Sequence, residues 1–337
     1  MAVVTGTNWN AYDAATMAAR EIYGRTLAEL GANNKKIVGL TADLEKTTAF
    51  VHFAEAFPDR FFNVGIAEQN MIGIAAGLAK AGLIPFASTM AVFASLRACE
   101  QVRTDVAYQN LPVKIIATHS GISFGHAGTT HHCTEDLAIM RSMANMTVLC
   151  TADGVETSKA VKACIDIPGP VYIRVGRGFE PPCYESDDYP FEIGKAVTMR
   201  DGTDLTIICC GVAVLQSLNA AKTLAENDGL SVRVINMHTI KPIDREAILN
   251  AVTDTRRILT IEEHNVVGGL GDAVASVIAG FGKGCVFKKH GLQDIYATIG
   301  YAEDLYTHYG LDANGIIDKV REIMGMEFEA DENWDDD

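Results

Sequence analysis

Basic residues are scarce in this chain: 28 Lys and Arg stand against 43 Asp and Glu, a formal charge of -15 over 337 residues. A nucleic-acid groove needs a basic stripe, so that class of partner is excluded. No apolar run approaches the ~20 residues that span a bilayer. The first residues, "MAVVTGTNWNAYDA", carry no basic region ahead of an apolar one, and no secretion signal is expected. The eight cysteines are scattered without CxxC spacing, mostly in apolar stretches such as "IICCG", where a reduced thiol behaves as a small hydrophobe. These absences together point to a cytoplasmic chain with neither a membrane nor a nucleic-acid partner. Internal repeats and low-complexity core segments are also lacking.

What is present is a globular composition, 48% hydrophobic and 21% charged, long enough for about two domains. Short β-branched runs alternate with amphipathic stretches. "KIVGLTAD" (36–43), "PVKIIATHS" (112–120), "MTVLCTAD" (146–153) and "PVYIRVGRG" (170–178) read as parallel strands covered on both faces. Helices are expected over 10–30, 67–82, 90–110, 134–144 and 154–165, the last opened by a polar cap in "TADGVETSKAV". Prolines and acids in "FEPPCYESDDYPFEIG" mark a linker, after which the alternation restarts. The expected organisation is α/β in two doubly wound domains, 1–185 and 192–325, joined by a linker at 186–191 and followed by an acidic tail at 326–337.

Three places stand out as candidates for chemistry. Glu68 sits among Ile66, Ala67, Met71, Ile72 and Ile74, and a carboxylate is rarely buried there without a partner. The segment "ATHSGISFGHAGTTHHCTED" (117–136) is a strand followed by a loop rich in glycine and histidine, placed where open α/β sheets bind ligands. "TADLEKTT" (41–48) is another strand end, with an acid and hydroxyls. Plainer readings stand beside these. Glu68 could be an exposed acid favoured by the helix macrodipole, and His119 a hydrogen-bonded structural histidine. His126, His131, His132 and Cys133 lack fixed metal-ligand spacing, and in a strand-like segment His131 and His132 would face opposite ways. "VVGGLGDAVAS" (266–276) fails as a dinucleotide fingerprint, because Val274 stands where a third glycine is needed.

Over residues 14 to 322 the chain resembles the C-terminal half of a transketolase, a thiamine-diphosphate enzyme. "TADL", "NVGIAEQNMIGIAAGLAKAG", "ATHSGISFG…GTTHH…EDLAIMRSM", "TADGVE" and "VYIRVGRG" follow one another in family order and spacing. "GVAVLQSLNAAKTL", "VRVINMHTIKPIDRE" and "ILTIEEHNVVGGLGDAVAS" continue it. The resemblance implies a pyrimidine-binding domain with a mostly parallel sheet, then a transketolase C-terminal domain. It implies that Glu68 is the acid that hydrogen-bonds the cofactor's pyrimidine ring, for which an apolar surrounding is useful. Phe93 would pack on that ring, with Met90 and Leu96 at positions that are often aromatic in the family, and Asp43 near the cofactor. His131 would meet the reacting end of the donor sugar. His119, Arg20, Thr47 and Arg177 would hold the substrate phosphate, where an arginine fork suits the geometry.

Two departures shape the expectation. Transketolases carry an acidic pair in the loop that here reads "GHAG", and His126 with Ala127 replaces it, which points to a modified or branched ketose donor. The family's "GDG" motif for the diphosphate and Mg²⁺ does not occur, and the first domain begins near residue 10. The chain thus resembles the second subunit of a split transketolase, with no metal ligands of its own. Its N-terminal, diphosphate-binding partner would complete the site in an α2β2 assembly that also involves self-association, and sugar phosphates would be the substrates. The alternatives are the β subunit of a 2-oxo acid dehydrogenase, a 1-deoxyxylulose-phosphate-synthase-like enzyme and a non-catalytic partner subunit.

Overall fold

The apolar runs fold as strands wherever both faces can be covered. The structure is a computed structural model that describes residues 17–326 except 179 and 185–187, so the start of the helix expected at 10–30, part of the linker and all but the first residue of the acidic tail lie outside the described residues. Six strands build the first sheet from one half of the chain: β1 (Ile37–Thr41), β2 (Phe61–Asn63), β3 (Ile84–Met90), β4 (Lys114–Thr118), β5 (Thr147–Cys150) and β6 (Val171–Arg174). The second half adds β7 (Val197–Arg200), β8 (Leu205–Cys209), β9 (Val232–Asn236), β10 (Thr239–Lys241), β11 (Arg257–Asn265) and β12 (Val286–Leu292). Every residue of β1, β4, β6 and β8 is buried, as sheets flanked by helices require. Among the described residues no helix is long and apolar enough to cross a membrane.

The first sheet runs β10-β5-β6-β4-β3-β1-β2 and the second β12-β11-β8-β9-β7. Both are parallel apart from one antiparallel edge strand each, β10 on β5 and β7 on β9. β10 belongs by sequence to the second half yet completes the first sheet, so the two halves share a sheet. Helix Ala19–Asn33 lies on helix Gly154–Ala163, where the Thr26 hydroxyl donates to the Ser158 hydroxyl at 3.0 Å. The cap foreseen in "TADGVE" is present: Asp153 accepts from the Glu156 amide at 2.8 Å.

Buried acids stitch the halves together. Glu156 accepts from the Ala152 amide at 2.7 Å, and from the Tyr184 hydroxyl and Asn236 of β9 at 2.8 Å each. Burial pushes Glu156 and Glu180 up to about 8 and Glu263 up to about 7. The folded chain therefore holds protons that the unfolded chain has already lost, and folding stability falls as pH rises through that range. His119 and His238 are pushed down by burial, to about 3 and about 4, and oppose this slope only below their ordinary 6.5. Urea unfolding between pH 6.5 and 8 is expected to show stability decreasing with pH, and a flat or rising profile would contradict the assignment.

Candidate active site

Glu68 opens helix Glu68–Lys80, whose apolar face (Met71, Ile72, Ala75, Ala76 and Ala79) packs on the sheet. An acid in the first turn is favoured by the helix dipole, but Glu68 does not reach solvent: it is 1% exposed. Its partner is Arg97, whose Nη1 donates to both carboxylate oxygens at 2.8 Å. Sequence reasoning missed Arg97. The available signal was that it is the sole cation between Leu83 and Val102. The π-type turn Phe93–Arg97 places the guanidinium carbon 4.1 Å from the centre of the Phe93 ring. Such turns recur at functional sites.

The histidine loop leaves β4 through two left-handed residues, His119 at φ 60° and Gly121 at φ 58°. For a histidine that conformation is a local strain held by its surroundings. Gly121 and Cys133 exchange backbone hydrogen bonds of 2.9 and 2.8 Å and close the loop at its base. Phe124 is its hub, again missed from sequence. Its ring meets His119 at 4.9 Å, His126 at 5.1 Å and His131 at 5.6 Å, and the Arg177 guanidinium at 4.7 Å. His131 also touches Phe93, ring centre to ring centre 5.6 Å, which joins this loop to the Glu68 wall. His131 lies in a turn rather than in the strand-like segment expected, with Thr130 at its Nδ1, while His132 turns inward to the Gly125 carbonyl at 3.1 Å. Among the described residues no three His, Cys, Asp or Glu side chains gather to hold a metal.

Behind His119 lies a positive corner. Arg20 donates to the Arg177 carbonyl at 3.0 Å and to the Thr47 carbonyl at 2.5 Å, so Thr47 contributes its backbone rather than its hydroxyl. Arg177 Nε is buried without a hydrogen-bond partner among the described residues. Burial first, then the Arg20 and Arg177 charges, hold His119 down at about 3, neutral at physiological pH. Cations grouped with an unpartnered guanidinium N–H favour a bound anion.

The second half of the chain reaches into this site. Glu263 on β11 accepts from the Ile122 amide of the histidine loop and from the Tyr306 hydroxyl, both at 2.9 Å. A Cβ on Gly121 would fall 2.2 Å from the Glu263 carboxyl carbon, so only glycine leaves room for that acid. Arg174, 2% exposed, ties the Asp136 carboxylate (3.0 Å) to the Cys133 and Glu263 carbonyls (3.2 and 2.8 Å). The Thr129 hydroxyl donates to the Ala297 carbonyl at 3.0 Å from the opposite rim.

Other expected positions fall outside this contact network. Asp43, exposed at φ 61°, pairs with Asn63 at the ends of β1 and β2. Met90 is buried in the core at the end of β3, and Leu96 is 48% exposed. In the glycine-rich stretch 268–271, the helix start is filled by Glu262, which accepts from the Leu270 and Gly271 amides at 2.6 and 2.8 Å.

With this geometry in hand, similarity to known proteins is informative. The family described as "Transketolase, pyrimidine binding domain" matches residues 15–179, and "Transketolase, C-terminal domain" matches 194–316. A putative transketolase C-terminal section of Methanocaldococcus jannaschii is 45% identical over 91% of this chain and 96% of its own length. A subunit of the apulose-4-phosphate transketolase of Phocaeicola vulgatus is 40% identical over 91% of this chain and 98% of its own length. The solved structure of a split gene transketolase, an inactive beta4 tetramer, superposes with a TM-score of 0.83 at 44% identity, covering 93% of this chain and 99% of that one. The chain belongs to the transketolase family, and it is built like the C-terminal, or β, subunit of a split transketolase.

Proposed function

We propose that this subunit supplies the pyrimidine side of a thiamine-diphosphate site and the substrate-facing histidines of a ketol transferase. The observation that carries the reading is the wall Glu68–Phe93–His131, a buried carboxylate, an aromatic face and a half-buried imidazole, in which Arg97 bridges Glu68 to Phe93 and Phe93 meets His131. An aminopyrimidine is flat and can donate toward a carboxylate, and the wall already accommodates a flat cationic donor, the Arg97 guanidinium. The residues therefore fit the group.

Thiamine diphosphate, when bound, supplies the carbon nucleophile and electron sink that ketol transfer requires. This chain would do the rest of the positioning. Glu68 would hydrogen-bond the edge of the pyrimidine ring, and its burial would strengthen that hydrogen bond. Phe93 gives the ring a face to stack on. His131, steadied by Thr130 and by the two phenyl rings, is placed to hold a hydroxyl of the donor sugar. Neutral His119 adds a hydrogen bond without a charge, and Arg20 with Arg177 takes the phosphate end of the sugar. Met90, Leu96 and Asp43 are assigned to the cofactor's margins on the family resemblance alone. Ala127, in the short turn Gly125–Ala127, leaves no carboxylate at a place where the family has one, so the donor is a modified ketose phosphate. Apulose-4-phosphate, which names a relative, is the first donor to try.

The diphosphate and its Mg²⁺ are assigned to an N-terminal partner subunit, in an α2β2 assembly. Calorimetric titration of thiamine diphosphate with Mg²⁺ tests this directly. No binding by the chain alone and micromolar binding once the partner is added is the expected pattern. An assembled pair that does not bind would leave a non-catalytic subunit as the better reading.

A further inference from the structure

The Arg97–Glu68 pair has a geometry that an ordinary surface ion pair does not need. One nitrogen, Nη1, reaches both carboxylate oxygens at 2.8 Å, and the guanidinium plane is carried over the Phe93 ring at 4.1 Å. A flat, delocalised cation thus does what the aminopyrimidine would do: it lies against Phe93 and hydrogen-bonds Glu68. The same carboxylate oxygens and the same ring face cannot serve both at once. Arg97 itself is 47% exposed while Glu68 is 1% exposed, so the arginine has an open way out and the acid does not.

Resting on the functional reading above, we propose that Arg97 is a built-in placeholder for the cofactor's pyrimidine. It neutralises Glu68 while the site is empty and swings to solvent when the ring arrives. The physical need is plain: a carboxylate this buried is strongly destabilising when left unpaired, and the chain has to be stable before its partner and cofactor reach it. The consequence is a penalty on binding, because only the fraction of molecules with Arg97 displaced is competent, and apparent affinity is reduced by that fraction. The turn that carries Arg97 also carries Phe93, four residues back, so displacement leaves the stacking face in place.

The test compares wild type, Arg97→Met, Glu68→Gln and the double variant by two readouts. In the first, each full chain is assembled with its partner subunit and titrated calorimetrically with thiamine diphosphate and Mg²⁺. Arg97→Met is expected to bind about tenfold more tightly than wild type, and in the Glu68→Gln background the same substitution is expected to change affinity little, since there is no charged pair left to break. In the second, urea unfolding of the cofactor-free chain is expected to show Arg97→Met destabilised and the double variant largely restored. Equal or weaker cofactor binding by Arg97→Met, with wild type binding normally, overturns the placeholder. Unfolding that shows no coupling between the two positions overturns it as well. Absence of binding in every assembly, wild type included, removes the cofactor reading and this inference with it.

Discussion

Glu68→Gln is expected to lower turnover of the assembled enzyme by about 10²–10⁴-fold, the range that a positioned acid or base contributes. The amide preserves the size of the side chain and can still accept from Arg97, so the helix start and the core beneath it stay packed. The loss should therefore appear in kcat with the far-ultraviolet spectrum and the oligomeric state unchanged. Turnover retained at the wild-type level would sink the acid's role in catalysis and leave Glu68 as a structural partner of Arg97. The measurement also separates the enzyme from a non-catalytic subunit, because in the latter no substitution at this position can matter to chemistry.

The second large effect is on folding. Arg174→Met removes a guanidinium that is 2% exposed and that satisfies Asp136, the Cys133 carbonyl and the Glu263 carbonyl together. Among the described residues Asp136 would keep only Tyr172 as a side-chain partner, at 2.8 Å, and its charge would be stranded. Breaking one side of a buried pair costs about 3–5 kcal/mol. Chemical denaturation should report a loss of that order, and Asp136→Leu in the same chain should recover part of it by removing the stranded charge. A loss well under ~1 kcal/mol would show that the cluster is worth no more than a surface pair. Because Arg174 also holds the base of the histidine loop through Cys133, the variant that does fold should bind substrate more weakly.

Much of the framework was legible because burial on both faces leaves a direct trace. β1, β4, β5 and β6 each lie within an apolar run read as a strand, and the Asp153 cap lies where "TADGVE" places it. β3 left no such trace. "IPFASTM" sits centrally in the first sheet, between β1 and β4, yet it contains a proline and two hydroxyl residues that dilute the pattern. The hydroxyl of Ser88 is satisfied by the Ile116 carbonyl at 3.1 Å, a contact that no local periodicity announces. The same limit applies at the site. Glu68, Phe93, His119 and His131 stand out by motif and resemblance, whereas Arg97 and Glu263 act through partners far along the chain, and Phe124 meets its three histidines only once the loop folds back on itself. Glu263 and Ile122, for example, are 141 residues apart. Residues that hold a site from a distance have ordinary local surroundings in sequence, and only the fold brings them into view.

β10 has a consequence for how the two halves can be separated. A sheet whose last strand is lent by another part of the chain presents on that side only the three-residue edge Thr239–Lys241 in place of β5, and a short edge is a poorer template for pairing between molecules than a long one. Cutting the chain near the 186–191 linker and purifying the first half alone would uncover β5 and its row of unpaired amides and carbonyls. That fragment would be a candidate for aggregation and for pairing with a stray strand. The β5 edge therefore sets a limit on dissection: fragments meant to isolate the pyrimidine-binding sheet must carry residues through Lys241, or supply a substitute strand in their place.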